Sequence, residues 1–142
     1  MKPLEPFLNG TKAPGLWSYE PGPINDATAS LDAPSIRRVG LHGVRDKQEL
    51  FDRLESALRF PEWFGYNWDA LADWSTEPDW LAETTPTLVV LAGVRSIPEP
   101  LATTFFEIME STTRYWAKRG RIVYVLGDVE SSPSAALTAF RT

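Results

Sequence analysis

The sequence lacks cysteine altogether, so neither a disulfide framework nor thiolate chemistry is available to this chain of 142 residues. A chain without cysteine suits a reducing compartment. It also lacks any apolar run close to the roughly 20 residues that span a bilayer, and its first residues lack the apolar core of a signal peptide. These absences predict a cytoplasmic protein that does not insert into a membrane.

Metal ligands and phosphate-binding motifs are also scarce. His42 is the single histidine and lies where a strand gives way to a turn, so we interpret it as a turn or surface residue. The remaining residues form neither a zinc ligand set nor a calcium-binding loop, and there is no G-x-x-x-x-G-K or G-x-S-x-G motif. We expect no metal site, no cofactor and no catalytic nucleophile.

Positive charge is missing from the middle of the chain. Residues 60–94 contain no Lys or Arg, but they contain six acids: Glu62, Asp69, Asp73, Glu77, Asp79 and Glu83. Four of the six tryptophans lie in the same window: Trp63, Trp68, Trp74 and Trp80. With a formal net charge of −5, direct binding of nucleic acid is unfavourable. Acids beside aromatic rings are typical of a surface that binds a basic protein.

The apolar pattern predicts an α/β domain with a small, three-stranded, mostly parallel sheet. Strands are expected at residues 36–41, 87–92 and 122–126. Three or four helices would pack on them, of which three are expected at residues 47–60, 68–74 and 101–116. Asp46 with Glu49 fits a reciprocal cap at the start of the first helix, and Pro61 ends that helix. Asn67 is a suitable N-cap for the second helix.

The chain divides into three parts by composition. Residues 1–35 hold six of the twelve prolines and lack helical or strand periodicity, so we interpret them as a Pro/Gly-rich extension. Trp17 and Tyr19 would attach this extension to the domain; otherwise it is mobile. Residues 36–128 form the domain, and residues 129–142 are a Ser/Ala-rich tail.

Asp69 and Asp73 are the acids most favourably placed for a function. They lie four residues apart, on one edge of the second helix and opposite its apolar face. A like-charge pair at this spacing costs a helix a few tenths of a kcal/mol. Three interpretations remain open: a solvated face, a docking face for a cationic partner, and a catalytic carboxylate pair. Catalysis is the least favoured, because two acids on one exposed edge share one environment.

The aromatic residues divide in a similar way. Trp74 and Trp116 fall on apolar helix faces and are expected in the core. Trp63, Tyr66 and Trp68 lie in the loop before the second helix and at its first turn. They suit partly exposed contact with a partner as well as they suit the core.

The stretch from residue 61 to residue 73 reads P-E-W-F-G-Y-N-W-D-A-L-A-D, and it resembles the signature of the barstar family, the intracellular inhibitors of the secreted ribonuclease barnase. The order of elements across residues 36–127 is also similar. This resemblance implies an inhibitor rather than an enzyme, whose second helix and preceding loop plug the active site of the nuclease. Asp73 would then be the deepest anchor and Asp69 its helper. The remaining contact residues would be Asn67, Gly65, Trp68, Trp63 and Tyr66.

Three departures from the family pattern are visible. Ala72 stands where the family has a tryptophan directly before the last aspartate of the motif. The region around residues 113–116 has no acid where the family places a glutamate on its last helix, and residues are inserted between Trp74 and Thr87. These departures favour a basic ribonuclease or ribonuclease toxin other than barnase, bound one to one. The alternative is a diverged interaction module that binds a basic protein without nuclease activity.

Overall fold

A computed structural model describes residues 5–19, 35–128 and 140–141. The strands are β1 (Gly15–Ser18), β2 (Ile36–Gly40), β3 (Thr87–Ala92) and β4 (Val123–Gly127). The helices are α1 (Glu5–Leu8), α2 (Lys47–Leu58), α3 (Trp68–Ser75) and α4 (Leu101–Ala117), with short 3-10 turns at Pro78–Trp80 and Val94–Ser96. The predicted strands and helices are therefore confirmed to within a few residues at their ends.

The four strands form one sheet in the order β1-β4-β3-β2, and every neighbouring pair is parallel. The α/β class with a parallel sheet is thus confirmed, and the sheet has one strand more than the three expected. The additional strand, β1, lies inside the Pro/Gly-rich extension, where the sequence shows no strand period. Its four residues are ordered by distant partners, because β4 flanks one side and Arg141 bonds to Leu16 and Ser18 on the other.

The two faces of the sheet are covered differently. The larger core lies among the sheet, α2, α3 and α4, and the smaller core is closed by α1 and its neighbours. Phe7 of α1 meets the ring of Tyr124 edge-on at 5.1 Å and that of Trp17 at 5.5 Å. Tyr19 donates a hydrogen bond to the carbonyl of Leu91 at 3.3 Å. The predicted attachment through Trp17 and Tyr19 is confirmed for residues 5–19, whereas the domain limits at residues 35 and 129 stay predictions.

Helix α2 begins as the sequence predicts and ends in an unusual way. The Asp46 carboxylate accepts the backbone N–H of Glu49 at 2.9 Å, which satisfies one free donor of the first turn. Glu49 does not complete the reciprocal cap, because its carboxylate accepts from Arg45 Nε at 2.8 Å instead. Arg59 follows the helix in the left-handed region, with φ of 55° and ψ of 61°, where glycine is the usual residue.

The carboxyl end of α3 is fixed by two indole rings. The carbonyl of Ser75 accepts the Nε1–H of Trp80 at 3.2 Å and that of Trp116 at 2.8 Å. Trp74 is buried and stacks on Trp80 with ring centroids 4.8 Å apart. The core positions predicted for Trp74 and Trp116 are confirmed. Because hydrogen bonds join the end of α3 to α4 and to the 3-10 turn, the position of α3 relative to the core is fixed.

Candidate partner-binding face

The start of α3 is set by a tight turn and a side-chain cap. A Cβ added to Gly65 would lie 3.0 Å from the side-chain nitrogen, Nδ2, of Asn67. The Asn67 N–H donates to the Gly65 carbonyl at 2.7 Å, and its side-chain oxygen accepts from the N–H of Ala70 at 2.7 Å. Gly65 and Asn67 therefore set the conformation of the loop and the position at which α3 begins. The Asn67 residue is also exposed to solvent.

Asp69 and Asp73 are both exposed on the outer edge of α3. Among the described residues, ion pairs join Arg45 to Glu49 and Arg114 to Glu110, and neither aspartate takes part in one. The other four acids of residues 60–94 are exposed as well. The structure therefore brings the two aspartates together on a face whose negative charge is not neutralised by the described part of the chain.

The three loop aromatics differ in how much of each ring faces solvent. Trp63 is 59% exposed and Tyr66 is 38% exposed, although Tyr66 also stacks parallel to the buried ring of Phe51. Trp68 is half-buried and packs against the same Phe51 at 5.2 Å. Trp63 and Tyr66 thus offer exposed contact area in the loop before α3, whereas Trp68 mainly joins the start of α3 to the core.

A groove of about 370 Å³ runs between α3 and α4. Ala72 and Glu107 line it, so the small side chain at position 72 leaves space and Glu107 supplies an acid. The hydroxyls of Ser75, Thr76 and Thr112 also line it, and each donates its proton to a helix carbonyl. Their remaining lone pairs make this groove rich in hydrogen-bond acceptors.

Residues 113–116 of α4 contain no acidic side chain. Thr113 and Trp116 are buried, and Arg114 forms an ion pair with Glu110 at 2.8 Å. Glu107 lies two turns earlier on α4 and borders the groove between the helices. Glu107 cannot be identified as a site residue from the sequence, because only the packing of α4 against α3 reveals which acid of α4 faces that groove.

A second, open groove of about 690 Å³ lies on the other side of α3. Trp63 and Trp80 line it together with two arginines from outside residues 60–94, Arg37 of β2 and Arg59 after α2. Arg37 donates from Nη2 to the carbonyl of Trp80 at 3.0 Å. Burial, and then the positive charge of Arg59, lower the pKa of Arg37 below its usual range. Neither arginine was predicted as a site residue from the sequence. The one local indication is that Arg59 stands at a position where a helix usually ends on glycine.

The remaining residues singled out from the sequence do not add a chemical centre to this face. His42 is exposed, and a Cβ on Gly93 would lie 2.6 Å from its backbone nitrogen, so it belongs to a turn packed against Gly93. Within the described ranges, no group of three or more His, Cys, Asp or Glu side chains is placed to hold a metal ion. None of the helices in the same ranges has the length and apolar character needed to cross a bilayer.

Comparison with known proteins agrees with this fold. The family model described as Barstar (barnase inhibitor) matches residues 35–127, which include β2, β3, β4, the helices α2 to α4 and the acidic face. No curated protein matches the chain significantly. Barstar-family proteins are inhibitors rather than enzymes. Because the match extends over well more than half of the sequence, the chain belongs to the barstar family.

Proposed function

We propose that the protein inhibits a basic ribonuclease by covering its active site, one to one, with α3 and the loop before it. The observation that carries this proposal is the pair of exposed aspartates on α3, Asp69 and Asp73, which form no ion pair with the described residues and follow the loop that carries the exposed ring of Trp63. A ribonuclease active site collects positive charge to hold RNA phosphates. Two carboxylates on a fixed helix can take the place of those phosphates.

The energetics favour such a complex. Since neither aspartate has an ion-pair partner among the described residues, no ion pair with those residues must be broken when a cationic side chain approaches. The aromatic rings beside the acids exclude water, which strengthens each charge pair. The net charge of −5 also attracts a basic protein over a distance and speeds the encounter.

The residues of the face have separate parts in this proposal. Asp73 is the main anchor, Asp69 pairs with a neighbouring cation, and Trp63 and Tyr66 supply apolar contact around them. Gly65 and Asn67 hold the turn and offer polar contacts at the rim, with Trp68 beneath it. The proposed place of action is the cytoplasm, where a ribonuclease toxin would otherwise degrade the RNA of the cell.

A pull-down with matched variants tests the proposal. The wild type, Asp69→Asn/Asp73→Asn and a control, Asp52→Asn/Glu55→Gln, are immobilised and exposed to the lysate and secreted fractions of the source. The control removes the same two negative charges from exposed positions on α2. We expect a ribonuclease that the wild type and the control retain, that Asp69→Asn/Asp73→Asn releases, and that is silent towards RNA while bound.

Two results would contradict the proposal. If both double variants lose the ribonuclease equally, net charge rather than the α3 face holds it. If the wild type retains a basic protein that cleaves no RNA, and Asp69→Asn/Asp73→Asn releases it, the chain is a diverged interaction module instead.

A further inference from the structure

Two arginines, Arg37 and Arg59, line the open groove of about 690 Å³ on the other side of α3. Neither Arg37 nor Arg59 forms an ion pair with an acid in the described part of the chain. The positive charge of Arg59 is close enough to disfavour the charged form of Arg37, adding to the effect of burial. The Nε of Arg37 is also buried without a hydrogen-bond partner. Two like charges held together are unfavourable in the free protein, and a bound anion would relieve that repulsion.

Arg59 is an unfavourable choice for backbone conformation as well. It is the only non-glycine residue with positive φ among the described residues, and it occupies the left-handed position that follows a helix. A glycine there would adopt this conformation without strain and would remove the repulsion with Arg37. One residue thus combines backbone strain with charge repulsion, and such combinations are concentrated at functional sites.

The walls of the groove indicate what kind of anion it accepts. Trp63 and Trp80 provide flat apolar surface, and the volume of about 690 Å³ is in the range of small-molecule sites. Glu77 and Asp79 also line the groove and would repel a doubly charged phosphate. A singly charged, planar carboxylate suits the two guanidinium groups better, since it can accept paired N–H donors. Trp63 lines this groove and also belongs to the loop before α3, so a partner that docks on that loop can also reach the groove.

We propose that Arg37 and Arg59 form a binding site for a carboxylate, supplied by an acidic side chain of the protein that docks on the α3 face. That the carboxylate comes from a partner protein rests on the proposed function, whereas the existence of a carboxylate site between Arg37 and Arg59 does not. The complex then carries charge pairs of both polarities, with aspartates of this chain facing cations and arginines of this chain facing an acid. The partner must therefore carry an Asp or Glu beside its basic cleft.

The site is tested first on the isolated protein. Benzoate and its neutral analogue benzamide are titrated at constant ionic strength while NMR follows the Nε–H of Arg59 and the indole N–H of Trp63. We expect saturable shifts with benzoate, half-complete on the order of 10 mM for a ligand of this size, and none with benzamide. Arg59→Gly, which lacks the Arg59 Nε–H, should abolish the shift of the Trp63 indole N–H, whereas Arg45→Gln, the same charge change at an exposed residue, should retain the shifts of both groups.

Equal shifts with benzamide, or unchanged benzoate shifts in Arg59→Gly, would overturn the site. The variant Asp69→Asn/Asp73→Asn should bind benzoate as the wild type does. Failure of the ribonuclease proposal, which the pull-down detects, is therefore distinct from failure of the carboxylate site.

The source of the carboxylate is tested on the captured ribonuclease. Arg59→Gly makes this chain more acidic, so simple attraction to a basic partner predicts tighter binding. An acid of the partner bound to Arg59 predicts weaker binding instead, by about tenfold for the loss of one charged hydrogen-bonded contact. Arg45→Gln should stay within about twofold of the wild type. Unchanged or tighter binding of Arg59→Gly would overturn the assignment to the partner.

Discussion

Removing the side-chain cap of α3 should destabilise the protein measurably although Asn67 itself is exposed. Helix α3 has eight residues, which are too few for a helix to be stable alone. Capping of the free N–H groups in its first turn is therefore important for its stability. In Asn67→Ala the hydrogen bond to the N–H of Ala70, 2.7 Å long, is lost, and little packing is lost with it. The expected cost is about 1 kcal/mol of the free energy of unfolding.

Urea denaturation followed by tryptophan fluorescence measures this cost. A loss of about 1 kcal/mol should lower the urea midpoint by roughly 0.5 M and the melting temperature by about 4 °C. The matched variant Asn67→Asp retains an oxygen acceptor and adds a negative charge where the helix dipole favours one. It should stay within about 0.5 kcal/mol of the wild type. Equal losses in the two variants would refute the cap as the source of the effect.

Further predictions concern binding and backbone strain. Asp73→Ala should weaken binding of the ribonuclease by on the order of 2 kcal/mol or more, and change the free energy of unfolding by less than about 0.5 kcal/mol, because an exposed anchor carries little stability. Association of the wild type should slow steeply between 50 mM and 500 mM salt in stopped-flow measurements, and a salt-independent rate would remove the electrostatic argument. Gly93→Ala should cost about 2–3 kcal/mol in thermal unfolding, because Gly93 has φ of 81° and a Cβ there would lie 2.6 Å from the nitrogen of His42. Gly43→Ala, with φ of 78° and open space around the Cβ, should cost only about 1 kcal/mol, and equal losses would exclude the contact with His42 as the cause.

The parts of this fold that the sequence predicts are those specified by near neighbours. Asn67 caps α3 through a contact three residues away, and Asp46 does the same for α2. Strands β3 and β4 are continuous apolar runs, as expected when both faces of a parallel sheet are covered. The exposed edge that carries Asp69 and Asp73 follows from helical periodicity alone, so the acidic half of the candidate site can be predicted from local pattern.

The parts that the sequence does not predict depend on distant contacts. Strand β1 has four residues and no period of its own, and it is ordered beside β4, where the Tyr124 hydroxyl donates to the Lys12 carbonyl 112 residues away. The pairing of Arg37 with Arg59 arises from the positions of β2 and the end of α2. Local pattern cannot show that two such residues share a groove with Trp63.

The position of β1 at the edge of the sheet, beside β4, has a consequence for synthesis of the chain on the ribosome. Strands β2 and β3 can pair as soon as residue 92 has emerged, but β1 has no partner until β4 at Val123–Gly127 follows. The 109 residues from Ser18 to Gly127 take roughly 5 to 22 s at typical translation rates, and β1 is without its partner for that time. Throughout it, the apolar side chains of Phe7 and Leu16 lack the surface that later buries them. During synthesis, β1 therefore waits longer for its partner strand than β2 does.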